Sequence, residues 1–155
     1  MGTKVVSSGT GSGEVPSLDV ALFFSTGVIA FPIGTGAFLG AFFDTVAVRL
    51  ESGRRGSRLP ALAALYADGE LSHGRASAAL AELDLVRAEL ARFTPDQVVW
   101  DADDPAAQPP WGENIAPTIS SLANWFVTSD GRPMLDVLAS ALDASSRIGQ
   151  PLRIR

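Results

Sequence analysis

Asp101, Asp103 and Asp104 stand almost side by side, and three carboxylates this close invite either metal binding or acid–base work. A calcium loop of the EF-hand type needs glycine at its sixth position and glutamate at its twelfth. Counted from Asp101, those places hold Ala106 and Gly112, so that pattern fails. A looser divalent site, or a carboxylate pair for hydrolysis, is the chemistry left to the trio. No substrate groove can be read beside it. His73 is the chain's single histidine and falls near a helix start, with no cysteine or serine-nucleophile signature to complete a triad. Gly34-Thr35-Gly36 precedes a helix and could cradle a phosphate. It lacks both a Walker lysine and a full dinucleotide fingerprint, so the expectation is that Thr35 caps the helix. No catalytic residue and no cofactor is assigned.

The trio belongs to a longer stretch. From Phe93 to Gly131 the chain has six carboxylates (Asp96, Asp101, Asp103, Asp104, Glu113, Asp130), all three tryptophans, and no Lys, Arg or His. The whole chain carries −5, so a stretch at −6 leaves the remainder at +1. Such a surface suits a basic partner. It does not suit nucleic acid, which needs a concentrated basic face. Trp111 follows Pro109-Pro110 and is either a core anchor or a hot spot offered to a partner. Four arginines, Arg49, Arg54, Arg55 and Arg58, gather within ten residues. They read as a solvated loop paired with the acidic stretch of the same fold, or as a contact for an anion or an acidic surface.

Elements that would hold these residues follow from periodicity. The fold class expected is α+β: one domain with a small, mostly antiparallel sheet against about four helices. At 155 residues one domain is the simplest division, with residues 1–16 a Gly/Ser-rich flexible leader and 17–155 the folded unit. Val20–Ser25 and Val28–Phe31 form a hairpin around Gly27, with Pro32 closing the second strand. A helix follows from about Ala37 to Glu51, apolar around much of its girth, with Thr45 and Val48 in one row. Pro60 opens a short helix ending at Asp68-Gly69. Ser72 caps the next, with Leu71 as staple, which runs to about Arg92 on the stripe Ala76, Leu80, Leu83, Val86 and Leu90; Asp84 can pair with Arg87 on its outer side. Gln97–Trp100 reads as a strand, and Thr118–Phe126 fits helix or strand, with Trp125 and Phe126 in the core. A last helix spans Pro133 to about Arg147, stopped by Gly149, and Pro151–Arg155 adds an edge strand. Val20–Phe43 holds no charge over 24 residues, long enough to span a bilayer. Pro32 and the glycines within it, and its change of period, argue for soluble strands and a helix. The absence of cysteine fits a reducing cytosol.

Several blocks then occur in a familiar order: Phe31-Pro-Ile-Gly-Thr-Gly36, Phe42-Phe43 through Arg49-Leu-Glu51, Val99-Trp-Asp101, Pro110-Trp-Gly-Glu-Asn114 and Phe126-Val-Thr-Ser-Asp-Gly-Arg132. Together, over about Val20 to Leu142, they resemble the bacterial polymorphic-toxin immunity proteins of the immunity protein 70 family. Trp111, Gly112, Glu113 and Asn114 and the Ser129-Asp130-Gly131 turn are the positions that match this pattern. The resemblance implies a small cytoplasmic protein without enzymatic activity or cofactor. Its partner would be a cognate toxin C-terminal domain, bound one to one, with no nucleic acid or membrane involved. Many such toxins are basic nucleases, which an acidic face would meet quickly. The candidate partner-binding residues are Asp101, Asp103, Asp104, Trp111, Glu113, Asn114 and Asp130. The alternative is a metal-dependent hydrolase built on Asp101, Asp103 and Asp104.

Overall fold

The computed structural model describes residues 21–104, 106–109 and 116–155. Strand β1 (Ala21–Ser25) turns at Gly27 into β2 (Ala30–Thr35). The turn is built by its own polar side chains. Thr26 Oγ1 accepts from the amides of Val28 at 3.2 Å and Ile29 at 3.0 Å, and Ser25 Oγ accepts from Gly27 at 3.1 Å. The expectation that Pro32 ends the second strand is corrected: β2 runs through it to Thr35. Pro32 lies opposite Phe23, whose amide and carbonyl both bond Arg155 on the other side. No ladder bond is therefore lost at the proline. A bulge at Ile33 restores the pairing of Leu22 with Gly34.

The sheet is antiparallel, in the order β2-β1-β4-β3. Here β3 is the two-residue Glu70–Leu71 and β4 is Leu152–Ile154. The C-terminal strand thus lies inside the sheet and not at its edge, because β1 and β3 both take it as partner. Leu71 pairs with Leu152 and is a strand residue, not a helix staple. Phe24, Leu71 and Leu152 are buried on the side where the helices pack, and Arg153 pairs with Glu70 on the other.

Helix α1 (Gly36–Leu50) is capped by Thr35, whose Oγ1 accepts from Phe38 at 3.1 Å, so the capping reading of Gly34-Thr35-Gly36 holds. Nine of its fifteen residues are buried, as a helix apolar around most of its girth requires. Helix α2 (Pro60–Asp68) begins at Pro60 and ends at Gly69 in the left-handed conformation. Its own N-cap, Leu59, offers no side-chain acceptor; Glu82, on the helix that follows, reaches across and accepts from Ala61 at 3.0 Å and Leu62 at 2.9 Å. Helix α3 (Ala76–Leu90) starts later than expected, since Ser72 leads a 3-10 turn, His73–Arg75. Its stripe is buried at Ala76, Ala79, Leu83, Val86 and Leu90, with Leu80 half-buried. Arg87 pairs with Asp136 at 2.9 Å rather than with Asp84. Helix α4 (Met134–Ile148) closes on Gly149, also left-handed.

Phe126 joins these layers. Its ring meets Phe42 edge-on at 5.2 Å, Phe38 at 6.0 Å and Trp125 at 4.8 Å. Trp125 and Phe126 are core residues, as expected, at 5% and 2% exposure. The stretch they occupy is neither helix nor strand: residues 118–126 form turns, followed by a lone bridge from Val127 to Pro133. No helix among the described residues is long and apolar enough to cross a membrane; the uncharged run folds as the hairpin and the first half of α1.

Candidate functional site

Residues 97–102 run along α1 in the opposite sense, tied to it at three levels. Arg49 Nε donates to the Gln97 carbonyl at 2.9 Å. The Thr45 hydroxyl donates to the Val99 carbonyl at 3.1 Å and accepts from the Val99 amide at 2.9 Å. Asp44 Oδ2 accepts from the Ala102 amide at 2.9 Å. Thr45, a fully buried member of the helix's apolar row, thus hydrogen-bonds both backbone groups of one residue on the strap. Gln97–Trp100 is therefore not a strand. The Gln97 carbonyl and both Val99 groups are satisfied on helix side chains, after a 3-10 turn over Pro95–Gln97 closed by a Thr94/Gln97 capping box.

Beyond the strap the chain turns at 101–104. Asp101, Asp103 and Asp104 are all exposed. Asp101 Oδ1 accepts from the Asp103 amide at 2.9 Å, Asp104 Oδ1 from Ala106 at 3.3 Å, and the Ala107 amide closes on the Asp104 carbonyl at 2.9 Å. These bonds fix the turn and leave the charges uncompensated: among the described residues no Lys, Arg or His pairs with the three. Nor do three metal-ligating side chains come together anywhere among those residues.

Beside the strap and the last turn of α1 lies a cleft of about 880 Å³. Val48, Val98, Val99, Trp100 and Trp125 give it apolar surface, Ala107, Gln108 and Pro109 line it too, and Arg49, Asp96 and Asp101 supply charge. Asp96 also accepts from the Thr94 hydroxyl.

Asp130 sits apart from the trio. Its carboxylate accepts from the Thr128 hydroxyl and, at 3.1 Å, from Arg132 Nε. The Thr128 bond first, and Arg132 after it, hold this carboxyl below its usual value. The Ser129 amide donates to the Ile33 carbonyl at 3.0 Å, so this turn covers the edge of β2. No hydrogen bond or ion pair among the described residues links it to Asp101–Asp104. Trp111, Gly112, Glu113 and Asn114 lie outside the described residues.

The basic loop pairs within the fold, but not with the acidic stretch as expected. Arg55 meets Asp44 at 2.6 Å, donates to the Phe43 carbonyl at 2.9 Å and lies over the Tyr66 ring at 5.1 Å. Burial, then the nearby Asp44, raises the Tyr66 hydroxyl's pKa above its usual value. Arg58 grips Glu89 with both terminal nitrogens, at 2.9 and 2.6 Å, and donates to Leu50. Its partners are thus carboxylates of α1 and α3, not those of the acidic stretch.

Three residues were missed from sequence: Asp44 and Thr45, which hold the strap, and Glu51, which holds the basic loop. A signal existed for the first two, a polar pair in the middle of an otherwise apolar helix. Searches of curated proteins and of solved structures found no match. The family model for immunity protein 70 matches residues 24–154, from the first strand through α1, the strap, the acidic turn and the Ser129-Asp130 turn to the last strand. The chain belongs to the immunity protein 70 family.

Proposed function

We propose that this protein neutralises a cognate bacterial toxin domain by stoichiometric, non-catalytic binding, and that the Asp101–Asp104 turn faces the toxin. Family membership supports an immunity role and a protein partner. The observation that carries the choice of surface is the state of the charges. Arg55, Arg58, Arg87, Arg132, Arg147 and Arg153 each neutralise a carboxylate of the fold, and none reaches Asp101, Asp103 or Asp104. Exposed, unpaired charge on an anchored turn raises encounter rates with a basic partner and fixes its orientation. The protein then acts in the cytoplasm of the cell that makes the toxin, covering the toxin's active site or its substrate-binding surface.

Two measurements test this. Co-expression with the toxin domain encoded immediately upstream should restore growth, and the purified pair should form a one-to-one complex. Replacing Asp101, Asp103 and Asp104 together by Lys should then weaken binding by about 10²-fold at low salt and flatten its salt dependence. Unchanged affinity would move the interface elsewhere; no protection by the unaltered protein would remove the immunity reading itself.

A further inference from the structure

We infer that the cleft beside the 97–102 strap and the last turn of α1 is a socket for a protruding toxin loop that carries a lysine or arginine, a proposal that rests on the immunity reading above. The cleft adjoins the acidic turn, and Asp101 belongs to both. Val48, Val98, Val99, Trp100 and Trp125 offer apolar surface on which the methylene stem of a long basic side chain packs. Asp96 and Asp101 are carboxylates within reach of its charged head.

Charge decides the sign of the occupant. Among the described residues Arg49 is the one cation lining the cleft, and its Nε is engaged with the Gln97 carbonyl. Against it stand Asp96 and Asp101 in the lining and Asp103 and Asp104 on the adjoining turn. The balance is negative, so an acidic loop would be repelled and a basic one drawn in. The volume, about 880 Å³, accommodates a loop rather than a single side chain.

Preorganisation gives the socket its value. The strap is fastened through Arg49, Thr45 and Asp44, and Asp44 is itself held by Arg55. A wall already in place costs little ordering entropy when the partner arrives. The basic loop, folded back on α1, thereby braces the acidic side through Asp44.

Two substitutions probe the socket without reversing the exposed charges. Ala107→Phe adds bulk at a lining position while keeping the Ala107 backbone bond to Asp104. Asp101→Asn removes one charge but retains an oxygen to accept from the Asp103 amide. Titration calorimetry against the toxin domain encoded immediately upstream should show each weakening binding about tenfold or more, with thermal melting as a check on folding. In a double-mutant cycle, charge removal at one toxin lysine or arginine should be costly against the unaltered protein and nearly free against Asp101→Asn. The socket is overturned if Asp101→Asn and a folded Ala107→Phe both bind as the unaltered protein does. If the triple lysine variant still binds weakly in that case, the acidic turn stands and the socket alone falls. If the unaltered protein does not bind the toxin domain at all, the immunity reading falls first and takes the socket with it.

Discussion

Two charged loops flank helix α1, and they use their charge in opposite ways. The basic one, residues 52–58, is turned inward. Its Arg55 and Arg58 meet Asp44, Glu89 and backbone carbonyls while Arg54 stays exposed, and its amides converge on Glu51, which is 3% exposed. Glu51 Oε2 accepts from Gly56 at 2.8 Å and from Arg58 and Leu59 at 3.0 Å each. The acidic one, 101–104, is turned outward, with side chains that bond only the turn's own backbone. Charge density in the sequence looks alike for both. Compensation separates them: a neutralised cluster builds the fold, while an uncompensated one is available to a partner.

The comparison breaks most easily at Glu51. Glu51→Ala strips three loop amides of their shared acceptor and leaves a void where the carboxylate stood. A buried donor left without a partner costs about 1–3 kcal/mol; the Leu59 amide is buried and those of Gly56 and Arg58 are partly so, and a loss of about 2–4 kcal/mol is expected. Chemical denaturation would measure it. A loss below about 1 kcal/mol would mean that the basic loop is not built around this carboxylate.

How much of this contrast could be read beforehand depends on how local its cause is. Thr35 and Gly149 cap their helices as the sequence indicates, because a cap is settled within four residues. The α3 stripe is legible for the same reason. The position of β4 is not, because a three-residue strand takes its place from distant partners, Phe24 and Leu71 among their neighbours. Gln97–Trp100 has strand composition, yet Thr45, some fifty residues earlier, supplies the hydrogen bonds that a neighbouring strand would. Arg87 has a suitable partner in Asp84 three residues before it and chooses Asp136 on α4 instead, since tertiary packing outweighs a weak local pair. For the candidate site, the acidic turn is visible in composition alone. The cleft is not, because its floor and walls come from α1, the strap and the stretch around Trp125, which only the fold brings together.

A smaller effect sharpens the same contrast through pH. The Arg58 hydrogen bond first, and its charge with that of Arg92 after it, hold the Glu89 carboxyl below the usual 4.5 despite some opposing burial. A carboxylate whose pKa is lower folded than unfolded adds stability above its unfolded value, and loses it as pH falls through the folded one. The stability difference between the unaltered protein and Glu89→Gln should therefore be constant near neutrality and shrink below about pH 4.5. The pair is solvent-exposed, so the plateau is modest, on the order of an exposed ion pair's 0–1 kcal/mol. Denaturation curves between pH 3 and pH 7 would follow it. A difference that stayed level through this range would show that Arg58 does not hold Glu89 in its charged form.

The smallest effect on folding is expected where the largest effect on binding is proposed. Replacing Asp101, Asp103 and Asp104 together by Asn keeps an oxygen for each backbone amide that Asp101 and Asp104 accept, and takes away only charge. No cation of the described fold loses a partner. The three carboxylates lie within four residues of one another, so mutual repulsion is relieved. Stability should stay within about 0.5 kcal/mol of the unaltered protein, as for ordinary surface positions, with any rise confined to low salt. Thermal melting at two ionic strengths measures this. A loss above about 1 kcal/mol would place these carboxylates with Glu51 as builders of the fold, and the division between inward and outward charge would no longer mark a binding surface.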